Sequence, residues 1–158
     1  MQIKTKLASG LAAAAALVVT FGIGATAASA GTGTPCLQNS CNGLDPTQSY
    51  NQSTGVECSS GASTVHSIPA LGGTLDLRWG PDCQTNWARF TPGNNDTYEI
   101  WVTRLSDGVW AGSGLYNPYI FSNAKGVAHY SDQVYSPGPA AACVRDITTN
   151  SNDVCYQQ

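Results

Sequence analysis

The chain has 158 residues, with seven lysines and arginines against ten aspartates and glutamates and a formal net charge of −3. An acidic chain without a basic cluster is poorly suited to a polyanion, so nucleic acid is not an expected partner. Six cysteines, an even number, alongside only 11% charged residues point to a small cross-linked domain and away from a disordered chain.

Residues 1–30 carry a basic start (Lys4, Lys6), an apolar run from Leu11 to Ile23 and a small-residue cleavage signal, Ala28-Ser29-Ala30. This pattern predicts a secretory signal peptide cut before Gly31. The apolar run is too short and too broken by glycine for a membrane anchor, and no later segment is long enough to span a bilayer. The expected product is a secreted, extracellular protein with no membrane attachment after signal cleavage. Residues 31–158 then make one domain, keeping five basic residues: Arg78, Arg89, Arg104, Lys125 and Arg145. Gly31 to Ser40 is a polar lead, read as a flexible N-terminal arm or as a strand offered to a partner. Cys41-Asn42-Gly43-Leu44-Asp45-Pro46 is dense in turn formers, and Tyr50 to Gly61 is a polar loop carrying Cys58.

Strands follow at short spacing. Ser63 to Ile68 alternates, and Gly72-Gly73 turns it into the most informative stretch of the chain, Leu75 to Phe90. There Leu75, Leu77 and Trp79 alternate with Asp76 and Arg78, the period of a half-buried strand. Gly80-Pro81 stops the strand, and pairing resumes at Asn86-Trp87-Ala88-Arg89-Phe90. Setting Trp79 against Asn86 puts Leu77 opposite Ala88 and Leu75 opposite Phe90 on one face. The other face then holds Arg78 against Trp87, a cation–π pair, and Asp76 against Arg89, an ion pair.

Thr97 to Ser106 is the most strand-like segment, and Asp107-Gly108 signals a two-residue turn into Val109 to Tyr116. With Ser106 facing Val109, Leu105 meets Trp110 and Trp101 lies over Gly114. Ile100, Val102, Val109 and Leu115 occupy the other face, so both faces are apolar. Either this hairpin sits between two layers or its aromatic face is open for a partner. Asn117 to Gly126 reads as a loop or single helical turn with Tyr119 and Phe121 buried, and Val127 to Ser136 as loop plus strand. Ala142 to Thr148 and Asp153 to Gln157 read as the last two strands. Seven or eight short strands without a long amphipathic helix predict an all-β, mainly antiparallel fold, a small disulfide-stapled sandwich or barrel.

All six cysteines, Cys36, Cys41, Cys58, Cys83, Cys143 and Cys155, lie after the cleavage signal, where disulfides are the default. Fifteen connectivities are possible and spacing does not choose among them. The working expectation is Cys41–Cys58 and Cys143–Cys155 as local staples, with Cys36–Cys83 tying the N-terminal arm to the central hairpin. No CxxC pair exists and neither histidine is near a cysteine, so no metal site is expected.

The quoted pieces resemble a known family. Cys41 to Pro46, Leu77-Arg78-Trp79-Gly80-Pro81-Asp82-Cys83, Thr85 to Arg89, Ser131 to Tyr135 and Ala142-Cys143-Val144 are similar to the YjfA-like family. These are small secreted domains of Gram-positive bacteria, mostly actinomycetes, classed as a domain of unknown function. The resemblance runs from about residue 36 to 145. It departs at Gly80, where the family usually has serine, and in an insertion from Thr47 to Gly55. It implies secretion and a disulfide-held domain, and supplies no activity and no catalytic residue.

No stretch of the sequence carries a recognisable catalytic constellation. His129, Ser131 and Asp132 lie close in sequence, but without a nucleophile-elbow motif, and adjacent strand residues point to opposite faces. His66 and His129 could in principle run acid–base cleavage of RNA, against an acidic surface. Glu99 with an aspartate could serve glycoside hydrolysis, though a solvated charge is the simpler reading. Asn94-Asn95-Asp96 and Asn150 to Asp153 offer oxygen ligands but read as turns. No catalytic residue and no cofactor is therefore expected. The candidate binding residues are Arg78, Trp87, Arg89, Trp101, Trp110 and Tyr116, types that dominate interface hot spots. The expectation is a non-catalytic module that binds an extracellular protein, as adaptor or subunit of a complex. A cell-wall or glycan-binding role and a small secreted hydrolase are the alternatives.

Overall fold

The computed structural model describes residues 33–158 of the chain, and the expected signal peptide lies outside the described residues. In chain order the strands are β1 (Thr34–Cys36), β2 (Ser49–Asn51), β3 (Ser63–Ala70), β4 (Gly73–Gly80), β5 (Thr85–Thr91) and β6 (Tyr98–Arg104). They continue with β7 (Trp110–Ala111), β8 (Tyr119–Phe121), β9 (His129–Tyr130), β10 (Val134–Tyr135), β11 (Ala140–Asp146) and β12 (Val154–Gln157). The one regular helix among the described residues is a single 3-10 turn, Gln38–Cys41.

Alternation builds the body. β3, β4 and β5 form an antiparallel sheet, with β9 and β10 paired to the far side of β5. The central register is the one the sequence predicts: Leu75 faces Phe90, Asp76 faces Arg89, Leu77 faces Ala88, Arg78 faces Trp87 and Trp79 faces Asn86. A second antiparallel sheet has β11 between β12 and β6, with β7 and β8 pairing to β6. Leu75, Leu77, Ala88 and Phe90 of the first sheet pack on Tyr98, Ile100, Val102, Ala142 and Val144 of the second in one buried cluster. Phe90 meets Tyr98 edge-on at 4.9 Å between ring centroids. The two sheets keep separate edges, so the body is a sandwich and not a closed barrel.

Several expectations are corrected. The β3–β4 turn is Leu71-Gly72, with φ of +45° and +74°, because Ala70 pairs with Gly73. Two successive positive φ values match the twist of a tight hairpin, and here a leucine accepts one of them. The next hairpin is slipped by two residues: Thr103, not Leu105, faces Trp110, and Arg104 bonds Val109. The Arg104 guanidinium grips Asp107 at 2.7 Å across the turn, which holds four residues in the loop where two were expected. A two-residue slip preserves faces, so Trp101 and Trp110 remain on one side. Trp101 itself lies opposite Cys143 and not over Gly114, and Leu115 is exposed. The Asn117 to Gly126 segment contributes a strand, β8, with Phe121 buried and Tyr119 half-buried.

The N-terminal arm is not free from Thr34 onward. β1 pairs in parallel with β2, and Gln52 donates to the Cys36 carbonyl at 2.9 Å. Residues 33–61 make a small lobe against the first sheet. Its disulfides are Cys36–Cys41 and Cys58–Cys83, in place of the expected Cys41–Cys58 and Cys36–Cys83, while Cys143–Cys155 forms as expected. The 3-10 turn brings Cys41 back beside Cys36, a geometry that spacing alone does not reveal. Gln133 is wholly buried under this lobe, donating to Ser49 Oγ at 2.8 Å and accepting from Thr85 Oγ1 at 2.7 Å.

Candidate functional site

The six candidate binding residues divide between two opposite faces. In β6, Tyr98, Ile100 and Val102 point into the core, which leaves Glu99, Trp101 and Thr103 outward. Cross-strand partners share a face, so Trp110 (opposite Thr103) and Ile120 (opposite Glu99) stand beside Trp101. Trp101 meets Trp110 at 6.4 Å and 64°, and Trp110 meets Tyr116 at 6.0 Å and 85°. Tyr116 is 60% exposed, Ile120 56% and Leu115 46%. The Arg145 guanidinium lies 6.0 Å from the Trp101 ring centroid and bonds Glu99 at 2.9 Å. Glu99, Trp101, Trp110, Pro118 and Arg145 line a shallow groove of about 370 Å³. The result is an aromatic row, Trp101, Trp110 and Tyr116, with Ile120 on the same face and Arg145 at its rim in ion pairs with Glu99 and Asp153.

The first-sheet set is closed. Trp87 is 2% exposed, because its face lies beneath the N-terminal lobe. A Cβ on Gly80 would strike the Cys58 carbonyl and come within 2.9 Å of the Trp87 ring, so only glycine allows that approach. Arg78 donates to Thr64 Oγ1 at 2.6 Å and to the Ala62 carbonyl at 3.1 Å; no cation–π contact joins it to Trp87 among the described residues. Burial, and then the nearby charge of Arg89, lower the Arg78 pKa from its ordinary value. Arg89 bonds Asp76 at 2.6 Å, the predicted ion pair. Arg78, Trp87 and Arg89 therefore staple the first sheet, whereas Trp101, Trp110 and Tyr116 lie on the outer face of the second.

A cleft of about 700 Å³ lies where residues 43–47, 113–119 and 128–132 converge, with Asp45, Tyr119, His129, Tyr130 and Asp132 on its walls. Asp132 Oδ2 accepts from the Gly114 N–H at 2.6 Å. Burial raises its pKa to about 6; the Gly114 N–H opposes that shift and the charge of Asp45 adds to it. The Ser131 hydroxyl is buried, accepting from the Ala88 N–H and donating to the Asp132 carbonyl. His129 stacks on Phe121 at 4.0 Å, and burial lowers its pKa. No hydrogen bond among the described residues links the side chains of Ser131, His129 and Asp132, so the triad is not assembled. His66 stacks on Tyr156 at 3.9 Å, with β4 and β5 between its strand and that of His129. Three strand spacings of about 4.8 Å separate the two histidines along the sheet, too far for one substrate proton relay. Asn94 and Asp96 bond one another, and Asp153 pairs with Arg145, so both oxygen-rich runs are occupied as turns and ion pairs.

Over residues 39–143 the chain matches a family described as protein of unknown function (DUF2690). The chain belongs to the DUF2690 family. Comparison with curated proteins and with solved structures found no match. The DUF2690 match takes in the open aromatic surface, the Asp132 cleft and four of the six cysteines, and ends within β11. Among the described residues of this DUF2690 protein, no helix is long and apolar enough to cross a membrane.

The cleft is what sequence reasoning missed. Asp132 and Asp45 are far apart in the chain, and the signal that joins them, Gly43 packed against Leu115, is visible only in three dimensions. A Cβ on Gly43 would come within 2.7 Å of the Leu115 nitrogen.

Proposed function

We propose that this protein is a secreted, non-catalytic binding module, an adaptor or subunit of an extracellular complex, whose contact surface is the outer face of the second sheet. The observation that carries this reading is the aromatic ladder Trp101, Trp110 and Tyr116, its two tryptophans half-buried and its tyrosine exposed, extended by the exposed Ile120 and bordered by the Glu99–Arg145 pair. Burying such a surface removes aromatic and aliphatic area from water together, the composition of the core of a protein interface. Rings crossing at 64° and 85° do not form the coplanar platform on which sugar rings stack, so a protein partner fits better than a glycan. Secretion is supported by the leader pattern, by the three disulfides and by the resemblance to YjfA-like proteins of Gram-positive bacteria.

The test is the size of the native, untagged protein in culture supernatant, by gel filtration with mass spectrometry of co-eluting chains. A large complex that dissolves on Trp101→Ala, Trp110→Ala or Tyr116→Ala supports the reading. Elution of the unmodified protein as a monomer overturns it, and retention on insoluble cell wall would transfer the surface to a glycan.

The Asp132 cleft supports a second reading, a small hydrolase, because a carboxyl group poised near pH 6 beside a second aspartate suits acid–base work. A hydrolytic activity abolished by Asp132→Asn, with the Trp110→Ala variant unaffected, would favour it over the binding module.

A further inference from the structure

The Sγ atoms of Cys36, Cys41, Cys58 and Cys83 all lie within 4.8 Å of one another, and every one of these residues is at most 5% exposed. Across the two disulfides, Cys36 Sγ is 3.7 Å from Cys58 Sγ. Four thiolates around Zn²⁺ at about 2.3 Å stand about 3.8 Å apart, the edge of the tetrahedron. The backbone therefore already holds four sulfurs in a volume that a tetrathiolate site occupies. We propose that the cluster has a second, reduced state in which these four cysteines bind one Zn²⁺.

The donors come from three separate segments: the turn from Cys36 to Cys41, the loop at Cys58 and the β4–β5 connection at Cys83. One metal ion would thus tie the lobe internally and fasten it to the first sheet, the two tasks the disulfides perform. The lobe has reason to need such a tie. Its buried apolar cluster consists of the four cysteines themselves, with only Leu44 packed against them. Reduction without a replacement cross-link leaves 29 residues with almost no core, whereas a structural zinc supplies folding free energy directly. Sulfur-only donors select a soft or borderline ion over calcium or magnesium.

The chemistry balances. Each disulfide accepts two electrons and two protons from a dithiol, which closes to its own cyclic disulfide, giving four thiols in all. Zn²⁺ binding then releases four protons and leaves a site of net charge −2, so uptake weakens steeply as pH falls. Oxidation reverses the exchange: the metal is expelled and the two disulfides return.

The test uses the full chain, reduced with dithiothreitol, freed of it under anaerobic conditions and titrated with Co²⁺ as a spectroscopic stand-in. One equivalent should bind with the intense red-region absorption of tetrahedral cobalt on four sulfurs, and Zn²⁺ should displace it. The paired substitution Cys143→Ser and Cys155→Ser should leave the spectrum unchanged, because that pair lies in the second sheet. The paired substitution Cys41→Ser and Cys83→Ser should abolish the four-sulfur spectrum. Hydrogen exchange over residues 33–61 should slow on Zn²⁺ addition. Absence of stoichiometric uptake, an unchanged spectrum without Cys41 and Cys83, or uptake that brings no protection to the lobe would each overturn the proposal.

Discussion

The lobe of residues 33–61 and the sandwich beneath it are held by different forces. The sandwich buries fifteen residues in one apolar cluster, with Phe90, Tyr98, Ile100 and Val102 all wholly inaccessible. The lobe has short strands, a 3-10 turn and a core made of sulfur. The sandwich gains free energy by removing hydrocarbon from water. The lobe relies on lowering the entropy of its unfolded chain through cross-links. The difference teaches that one short chain contains two answers to the surface-to-volume problem of small domains. Enough alternating strands build a core, and where the strands are too short, cysteines stand in.

The strongest challenge to this contrast is removal of core volume. Phe90→Ala should cost about 3–5 kcal/mol in denaturant unfolding, and lobe and sandwich should melt together because the lobe rests on the sheet. Lobe protection that survives this substitution in hydrogen exchange would show the lobe to be independent. The joint substitution Cys58→Ser and Cys83→Ser opens a loop of 25 residues and should cost about 3 kcal/mol. Amides of residues 33–61 should then exchange rapidly while those of β4, β5 and β6 stay protected; equal loss in both would erase the distinction.

The seam between the two regions is polar, and it sharpens the comparison. Gln133→Leu strands the buried Thr85 hydroxyl and removes the donor to Ser49, which keeps its bond to the Asp45 carbonyl, and should cost about 2 kcal/mol by the same denaturation assay. The smallest effect concerns pH. The Asp132 pKa is about 6 in the folded protein, above its ordinary value, so its contribution to stability is fully present below pH 4 and is lost as pH rises through 6. Allowing for solvent screening of a half-buried group, the folded protein should lose about 1 kcal/mol between pH 4 and pH 7. Asp132→Asn should flatten that slope; an equal slope in the variant would assign it to another group.

How much of this was readable beforehand follows from the reach of each signal. The Leu75 to Phe90 register was legible because inward leucines, outward charges and a proline stop all agree on one pairing. The neighbouring hairpin slipped because its turn length is set by the Arg104–Asp107 bond, a contact no turn dipeptide encodes. β8 escaped notice because three residues between turn formers carry no periodicity. Trp101 and Trp110 were recognisable as sharing a face, since period two places them together, but with both faces apolar it could not say which one points outward. Trp87 was not separable from them, because what buries it is a lobe some thirty residues earlier in the chain. The disulfide pairing and the Asp132 cleft both depend on segments that meet only after folding.

The outer edge of the first sheet has a consequence for the protein in crowded surroundings. β3 is eight residues long and mostly exposed, and among the described residues no strand pairs with its far side. Such an edge invites a second molecule to add its own strand, the first step towards fibrils. Here an irregularity between Thr64 and His66 breaks the ladder, and Pro69 removes a donor further along. His66 is also clasped by Tyr156 from the edge strand of the other sheet. A stranger approaching that edge finds an interrupted template, so the sandwich can leave its margin uncovered without becoming a seed for its own aggregation.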